Sequence, residues 1–120
     1  MDAFYNAIRT EITMIKGDTL AFNFQLQGLD GAEPVNIFFT CREKPESENF
    51  YFQRSLVHGI TQINYDAETD TATYSVRVRP DETASLTAGR YYYDLQMSVD
   101  DDILTLMKGR LNIDWEVTRG

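Results

Sequence analysis

The chain has 120 residues, of which 42% are hydrophobic and 25% charged, a composition typical of globular proteins rather than of disordered or membrane-spanning ones. Its 19 acidic and 11 basic residues give a net charge of -8, and this field disfavours binding to nucleic acid. The single cysteine, Cys41, excludes a disulfide within the chain, and because no apolar run is long enough we expect neither a signal peptide nor a membrane span.

In the first third of the chain, apolar and polar residues alternate, which places every second side chain on one face of a β-strand. A turn at Lys16-Gly17-Asp18 and a loop from Gly28 to Pro34 separate three such segments. Their alternating apolar residues are Ile8, Ile12 and Met14; Leu20, Phe22, Phe24 and Leu26; and Val35, Ile37, Phe39 and Cys41. We therefore predict three strands before residue 42.

The middle of the chain begins with an exposed connection over residues 43–49, after which residues 50–56 resume strand character. Residues 60–65 and 71–79, separated by an acidic turn, have the pattern of a hairpin. Its expected inward residues are Tyr74, Val76 and Val78. Pro80 ends this hairpin because it cannot donate to a strand ladder, and residues 81–86 are expected to form one helical turn.

The last third of the chain contains two long strands. Tyr91, Tyr93, Leu95, Met97 and Val99 form one inward row, and Asp100-Asp101-Asp102 is the tip of the hairpin that follows. In the segment 103–118, Leu111, Ile113, Trp115 and Val117 continue one parity, whereas Leu104 and Leu106 fall on the other. This change of parity fits either a β-bulge or a strand that is buried on both faces.

Eight or nine short strands with turns every 8 to 12 residues favour an antiparallel β-sandwich, and no linker or repeat divides the sequence. We predict a single domain over residues 1–120, all-β, with the architecture of an Ig-like β-sandwich.

The sequence offers little for catalysis. His58 is the only histidine, and Cys41 lies on an apolar strand face, where a thiol behaves as a small hydrophobe. There is no glycine-rich phosphate loop and no nucleophile elbow, so we expect a non-enzymatic protein without a cofactor, although a pair of dispersed carboxylates stays open as an alternative. Two acidic turns, Asp66-x-Glu68-x-Asp70 and Asp100 to Asp102, are weak candidates for calcium.

Five aromatic residues exceed what the core requires: Phe38, Phe50, Tyr51, Phe52 and Tyr92. Phe38 and Tyr92 have the outward parity, and Phe50, Tyr51 and Phe52 are consecutive, so at least one of these three must face outward. Contiguous apolar surface commonly marks an interface, and we name all five as candidate contact residues. Scattered outward aromatics without a function are the simpler interpretation.

The segment from Pro80 to Leu95 contains Thr83, Leu86, Gly89, Tyr91, Tyr93 and Asp94 in the order P-x-x-T-x-x-L-x-x-G-x-Y-x-Y-D. Leu86 would fill the core under the turn, and a following tyrosine would bond back across the corner, as in a tyrosine corner. The pattern is completed by Ile15 to Thr19, Gly59-Ile60, Thr105-Leu106, Gly109-Arg110-Leu111 and Val117-Thr118-Arg119. Taken together, this order resembles a family of small bacteriophage structural proteins similar to the N-terminal domain of siphophage baseplate upper proteins.

This resemblance implies an Ig-like sandwich built into virions, made in the host cytoplasm, without catalysis and present in several copies. Its partners would be other virion proteins or further copies in a homo-oligomer, with no nucleic acid and no membrane. The resemblance leaves the location within the virion open: the baseplate, the tail tube, the head-tail joint or the capsid surface. The alternative from a different class is a carbohydrate-binding or adhesin module, which would use exposed aromatics beside Asp, Asn or Gln. A small hydrolase is the third hypothesis, but the sequence offers no set of catalytic residues for it.

Overall fold

A computed structural model describes residues 8–9, 12–29, 34–84, 86–99 and 101–115. This part of the chain contains nine strands and one short helix. The strands are β1 (Ile8–Arg9), β2 (Ile12–Ile15), β3 (Leu20–Gln27), β4 (Asn36–Arg42), β5 (Phe52–Leu56), β6 (Gly59–Asp66), β7 (Thr71–Val78), β8 (Gly89–Val99) and β9 (Asp102–Asp114), and the helix is α1 (Pro80–Thr83). No helix of the described residues is long and apolar enough to cross a membrane.

The strands form one hydrogen-bonded path that folds over between β5 and β6 into two layers. The larger layer has the order β9-β8-β4-β5, with β1 and β2 both along the outer edge of β9; the smaller layer has the order β6-β7-β3. Rings from the two layers meet in the interior, where Phe22 of β3 lies edge-on to Phe39 of β4 with centroids 5.4 Å apart. The predicted all-β, Ig-like sandwich is therefore confirmed.

The core follows the predicted alternation closely in β7 and β8. Tyr74, Val76 and Val78 are buried, as is every second residue of β8 from Tyr91 to Val99. Phe39 is at the centre of the core, since it also contacts the rings of Phe52 and Tyr93. Burying these apolar side chains supplies the main favourable free energy of folding.

The parity change in the last strand is a β-bulge. Leu95 pairs with Met107 but the next residue, Gln96, pairs with Thr105, so β9 has one extra residue, Leu106, opposite β8. The bulge lies at Leu106, and the ladder is regular again by Gly109, which pairs with Tyr93. It lets apolar residues of both parities contribute to the core, because an extra residue reverses the faces of a strand.

Some expectations need correction. The pairings of β1 and β2 with β9 are parallel, as is the short β5–β6 pairing, whereas the other pairings are antiparallel. Val35 precedes β4 and Trp115 follows β9; both are exposed, at 71% and 67%, because neither lies within a strand that the other layer covers. Val117 lies outside the described residues.

The corner between the layers is formed by α1 and the residues after it. Leu86 is buried, and the Tyr91 hydroxyl donates a 2.7 Å hydrogen bond to the carbonyl oxygen of Thr87. This is the predicted tyrosine corner, with Tyr91 rather than Tyr93 as the donor. The arrangement holds the start of β8 against the end of α1.

An ion pair connects α1 to β5, close to the point where the sheet folds over between the layers. Arg54 of β5 donates to Glu82 of α1 at 3.1 Å, and both side chains are largely buried. Gly59 is at the start of β6 with φ of 106°, and a Cβ atom there would collide with the guanidinium group of Arg54. Glycine is therefore needed at this position both for its backbone angle and for space.

Candidate functional site

The outer face of the larger layer presents three cross-strand rows of side chains. Tyr92, Asp94 and Gln96 of β8 point outward because their neighbours in the strand fill the core. The strand register completes the rows as Arg42–Tyr92–Arg110, Thr40–Asp94–Lys108 and Phe38–Gln96–Thr105. Directly opposite side chains in such rows are close enough to interact.

A groove of about 510 Å³ runs over the first two rows. Its lining includes Arg42, Pro45, Tyr92, Asp94, Lys108 and Arg110. Thr40 lies at the base, only 2% exposed although it is on the outer face, and its hydroxyl accepts a 3.0 Å hydrogen bond from Gln53. The groove thus combines charged groups with apolar surface, and Tyr92 lies between two arginines.

The charges in the groove are only partly compensated. An oxygen of Asp94 lies 3.9 Å from a guanidinium nitrogen of Arg42. Burial raises the pKa of Asp94, and the positive charge of Arg42 opposes that rise. A long contact between partly exposed groups contributes little stability, so the Arg42–Asp94 pair adds little to the free energy of folding.

Toward β5 the depression continues with a different character. Phe38, Gln53, Glu46 and Glu48 line this part, together with residues shared with the groove. Because the two glutamates belong to the loop between β4 and β5, the groove has a basic end over β8 and β9 and an acidic margin over β5.

The five predicted contact residues fall in three different environments. Phe38 and Tyr92 are half-buried on the outer face of the larger layer. Phe50 and Tyr51 are exposed at 49% and 47% just before β5, where the Tyr51 ring lies edge-on to Tyr91. Phe52 is 4% exposed and packs on Phe39, so its assignment to an outer contact surface is wrong. Its pairing with Cys41 decides this, because both residues then face the core.

The two residues considered for catalysis are far from a reactive arrangement. Cys41 is fully buried, and burial raises its pKa to about 12, so the reactive thiolate is scarce at neutral pH. His58 is exposed in the turn between β5 and β6, where its carbonyl oxygen accepts a hydrogen bond from the Ser55 amide.

In the acidic turn between β6 and β7, two carboxylates accept hydrogen bonds from nearby residues of the same segment. Asp66 accepts from the Glu68 amide at 3.0 Å, and Asp70 accepts from the Tyr65 hydroxyl at 2.8 Å. In the other acidic turn, Asp100 lies outside the described residues. Among the described residues, no group of three His, Cys, Asp or Glu side chains is placed to hold a metal ion, so the calcium hypothesis gains no support from this part of the chain.

The basic residues of the groove were missed by the sequence reading. Arg42, Lys108 and Arg110 each lie on the polar parity of a predicted strand, so the outward direction was available, but their convergence depends on how β4, β8 and β9 pair. Asp94 is the last residue of the P-x-x-T-x-x-L-x-x-G-x-Y-x-Y-D pattern, which predicts no role for it.

Comparisons with known proteins leave the family open. No protein-family model and no curated protein matches the sequence. Among solved structures, a family 123 glycoside hydrolase from Clostridium perfringens aligns with a TM-score of 0.53 and 11% identity over 97% of this chain; the chain spans 24% of the hydrolase. At that identity the similarity shows the fold alone.

Two further solved structures align over most of both chains at lower scores. CopC from Methylosinus trichosporium OB3b has a TM-score of 0.38 and 11% identity, over 95% of this chain and 89% of its own. The extracellular domain of the voltage-gated sodium channel beta4 subunit has a TM-score of 0.42 and 14% identity, over 94% of this chain and 97% of its own. Neither score carries a functional argument.

Proposed function

We propose that this protein is a non-enzymatic structural component of a bacteriophage virion, located in the tail, the baseplate or the head-tail region. It works by binding other virion proteins or copies of itself through its outer surfaces. The proposal takes its biological setting from the resemblance of the sequence to small phage structural proteins, and its physical support from the outer face of the larger layer.

The observation that carries the proposal is the row Arg42–Tyr92–Arg110 in the groove. Tyrosine and arginine are enriched at protein interfaces and dominate their binding energy, because both combine a flat contact surface with hydrogen-bonding groups. A tyrosine flanked by two arginines in a concave surface has this composition. It is unlike the small polar side chains of an ordinary solvated sheet face.

A second docking element is the edge of the smaller layer. β3 is at the end of the strand path and pairs only with β7 in the described part of the chain. The free edge of such a strand offers backbone groups to another chain, and its inward residues Phe22 and Phe24 are only half-buried. Among the residues that the structure describes, this edge offers contacts that the groove does not make.

The proposal is tested on purified particles of the phage that encodes the chain. Virions banded in a density gradient are analysed by mass spectrometry, with a replication protein of the same phage as the negative control. We expect the chain to co-band with the particles in a fixed stoichiometry to a known virion protein. Its absence from intact particles, with the replication protein also absent, would overturn the proposal.

The second candidate is a carbohydrate-binding module, which the side chains beside Tyr92 favour. Asp94 and Gln96 lie on the same face in the adjacent rows, and aromatic rings with nearby carboxylate and amide groups are a usual means of holding sugars. A glycan array with the wild-type protein and Tyr92→Ala decides this alternative. Binding to a defined glycan that the substitution abolishes would support it, and an array without signal would remove it.

A further inference from the structure

The groove is basic although the chain is acidic. Arg42, Lys108 and Arg110 surround one carboxylate, Asp94, so the lining of its basic end has a net charge of +2 (three cations minus one anion), against -8 for the whole chain. Local charge of one sign concentrates ligands of the other sign. A negatively charged group therefore complements the basic end of the groove, away from the acidic margin that Glu46 and Glu48 form.

The tip of the β8–β9 hairpin supplies such a group on the same molecule. Val99 pairs with Asp102, so the turn between the strands has only two residues, and Asp101 and Asp102 are both exposed there. Ile103 follows with 70% exposure. The described residues of the tip thus combine two exposed carboxylates with one exposed apolar side chain.

The tip cannot enter the groove of its own molecule. The tip joins β8 to β9, and Tyr92, the centre of the Arg42–Tyr92–Arg110 row, lies seven positions before Val99 in β8. At roughly 3.3 Å per residue they are about 23 Å apart along a continuous hydrogen-bonded ladder. Any contact between tip and groove must therefore join two copies.

We propose that copies of this chain associate head to tail, with the β8–β9 tip of one copy bound in the groove of the next. Asp101 and Asp102 pair with Arg42 and Arg110, and Ile103 packs on Tyr92. This inference rests on the proposed function, since it names the partner of one interface. Because tip and groove are different surfaces, each contact leaves one free tip and one free groove, and association continues to a ring or a filament.

Sedimentation velocity across a range of protein concentrations tests the association. We expect wild-type protein to form concentration-dependent oligomers at about 0.05 M NaCl that dissociate toward monomers at about 0.5 M, because exposed charges are screened at high salt. Arg110→Glu alone, and Asp101→Lys with Asp102→Lys, should each weaken association about tenfold or more. Arg77→Glu, a matched change of an exposed arginine on the outer face of the smaller layer, should leave it unchanged.

Mixing the two defective variants gives the sharper test. The Arg110→Glu protein keeps an intact tip, and the Asp101→Lys, Asp102→Lys protein keeps an intact groove. The intact tip of the first variant can bind the intact groove of the second, so an equimolar mixture should associate more strongly than either variant does alone. Circular dichroism and thermal melting of each variant establish that it is folded.

Three results would overturn the inference. Wild-type protein could stay monomeric at low salt up to about 1 mM, a concentration at which even weak association is visible. Oligomers could persist unchanged in both charge variants. A groove that binds oligogalacturonate in calorimetry, with binding lost in Arg110→Glu and no self-association of wild type, would assign it to an acidic sugar. Each of these leaves the presence of the chain in virions as a separate measurement, so the proposed function is judged independently.

Discussion

The two layers of the sandwich share an inward face but differ on the outside. The outer face of the smaller layer has short polar rows such as Gln25–Thr73 and Gln27–Thr71, joined by hydrogen bonds between their side chains. The outer face of the larger layer has the Arg42–Tyr92–Arg110 row and a groove. The same alternation of residues thus builds one outer face with hydrogen-bonded polar pairs and another with a groove lined by charged and aromatic side chains.

The inward faces also differ, and removing one ring from each layer tests that difference. Phe39 of the larger layer is fully buried among three other rings, whereas Phe24 of the smaller layer is half-buried and stacks on Tyr74. We expect Phe39→Ala to lower the free energy of unfolding by about 3 to 5 kcal/mol because it leaves a cavity. Phe24→Ala should cost about half as much. Chemical denaturation measures both, and equal losses would show that the core is not centred on the larger layer.

The fold-over point between the layers is tested by a pair of glycines with positive φ. Gly59→Ala forces a strained backbone angle and displaces Arg54 from Glu82, and we expect a loss of about 2 to 4 kcal/mol. Gly28→Ala has a similar backbone angle but open space around the new atom, and it should cost about 1 kcal/mol. The two thermal melts are compared directly. A Gly59 variant no less stable than the Gly28 variant would contradict the role given to Arg54.

The outer faces are compared by removing one threonine hydroxyl from each. Thr40 is buried at the base of the groove and accepts a hydrogen bond from Gln53, so Thr40→Ala should cost about 1 kcal/mol and leave the Gln53 amide without that partner. Thr73 accepts a longer, exposed bond from Gln25, and Thr73→Ala should cost about 0.5 kcal/mol or less. Urea titrations give both losses of unfolding free energy. A larger loss for Thr73→Ala than for Thr40→Ala would contradict the expected difference between the two outer faces.

The charge of Asp94 gives an effect that depends on pH. Its pKa is raised by burial in the folded protein, so the folded state holds the proton more tightly than the unfolded state, and stability falls as the pH rises through the folded pKa. Asp94→Asn removes this dependence. Relative to wild type, we expect the variant to gain at most about 1 kcal/mol between about pH 4 and pH 7, since Arg42 offsets part of the burial and the pair is partly exposed. Parallel melting curves of the two proteins across this range would contradict the assignment.

Local patterns were sufficient for the strands and for most of the core. The inward rows of β7 and β8 could be read from alternate residues because side-chain direction in a strand depends only on backbone geometry. The helical turn after Pro80 and the tyrosine corner were likewise readable, since the residues that form them lie within about a dozen positions of each other in the sequence.

The alternation of residues could not assign a side chain to the core or the surface where that assignment depends on residues far away in the sequence. Phe50, Tyr51 and Phe52 have no alternation to distinguish them, and only the pairing of Phe52 with Cys41 assigns it to the core. The change of parity in β9 had two interpretations until its register with β8 located the extra residue at Leu106.

By itself the sequence determined an all-β domain with a defined inward face, because the two-residue period of a strand is a local property. Only the tertiary structure decided how the outward residues meet. Arg42 and Arg110 are 68 positions apart, yet they flank the same tyrosine because β4 and β9 both pair with β8. Strand register and the folding of one sheet into two layers are long-range choices, and they place the groove and the acidic tip at separate positions along the same hairpin.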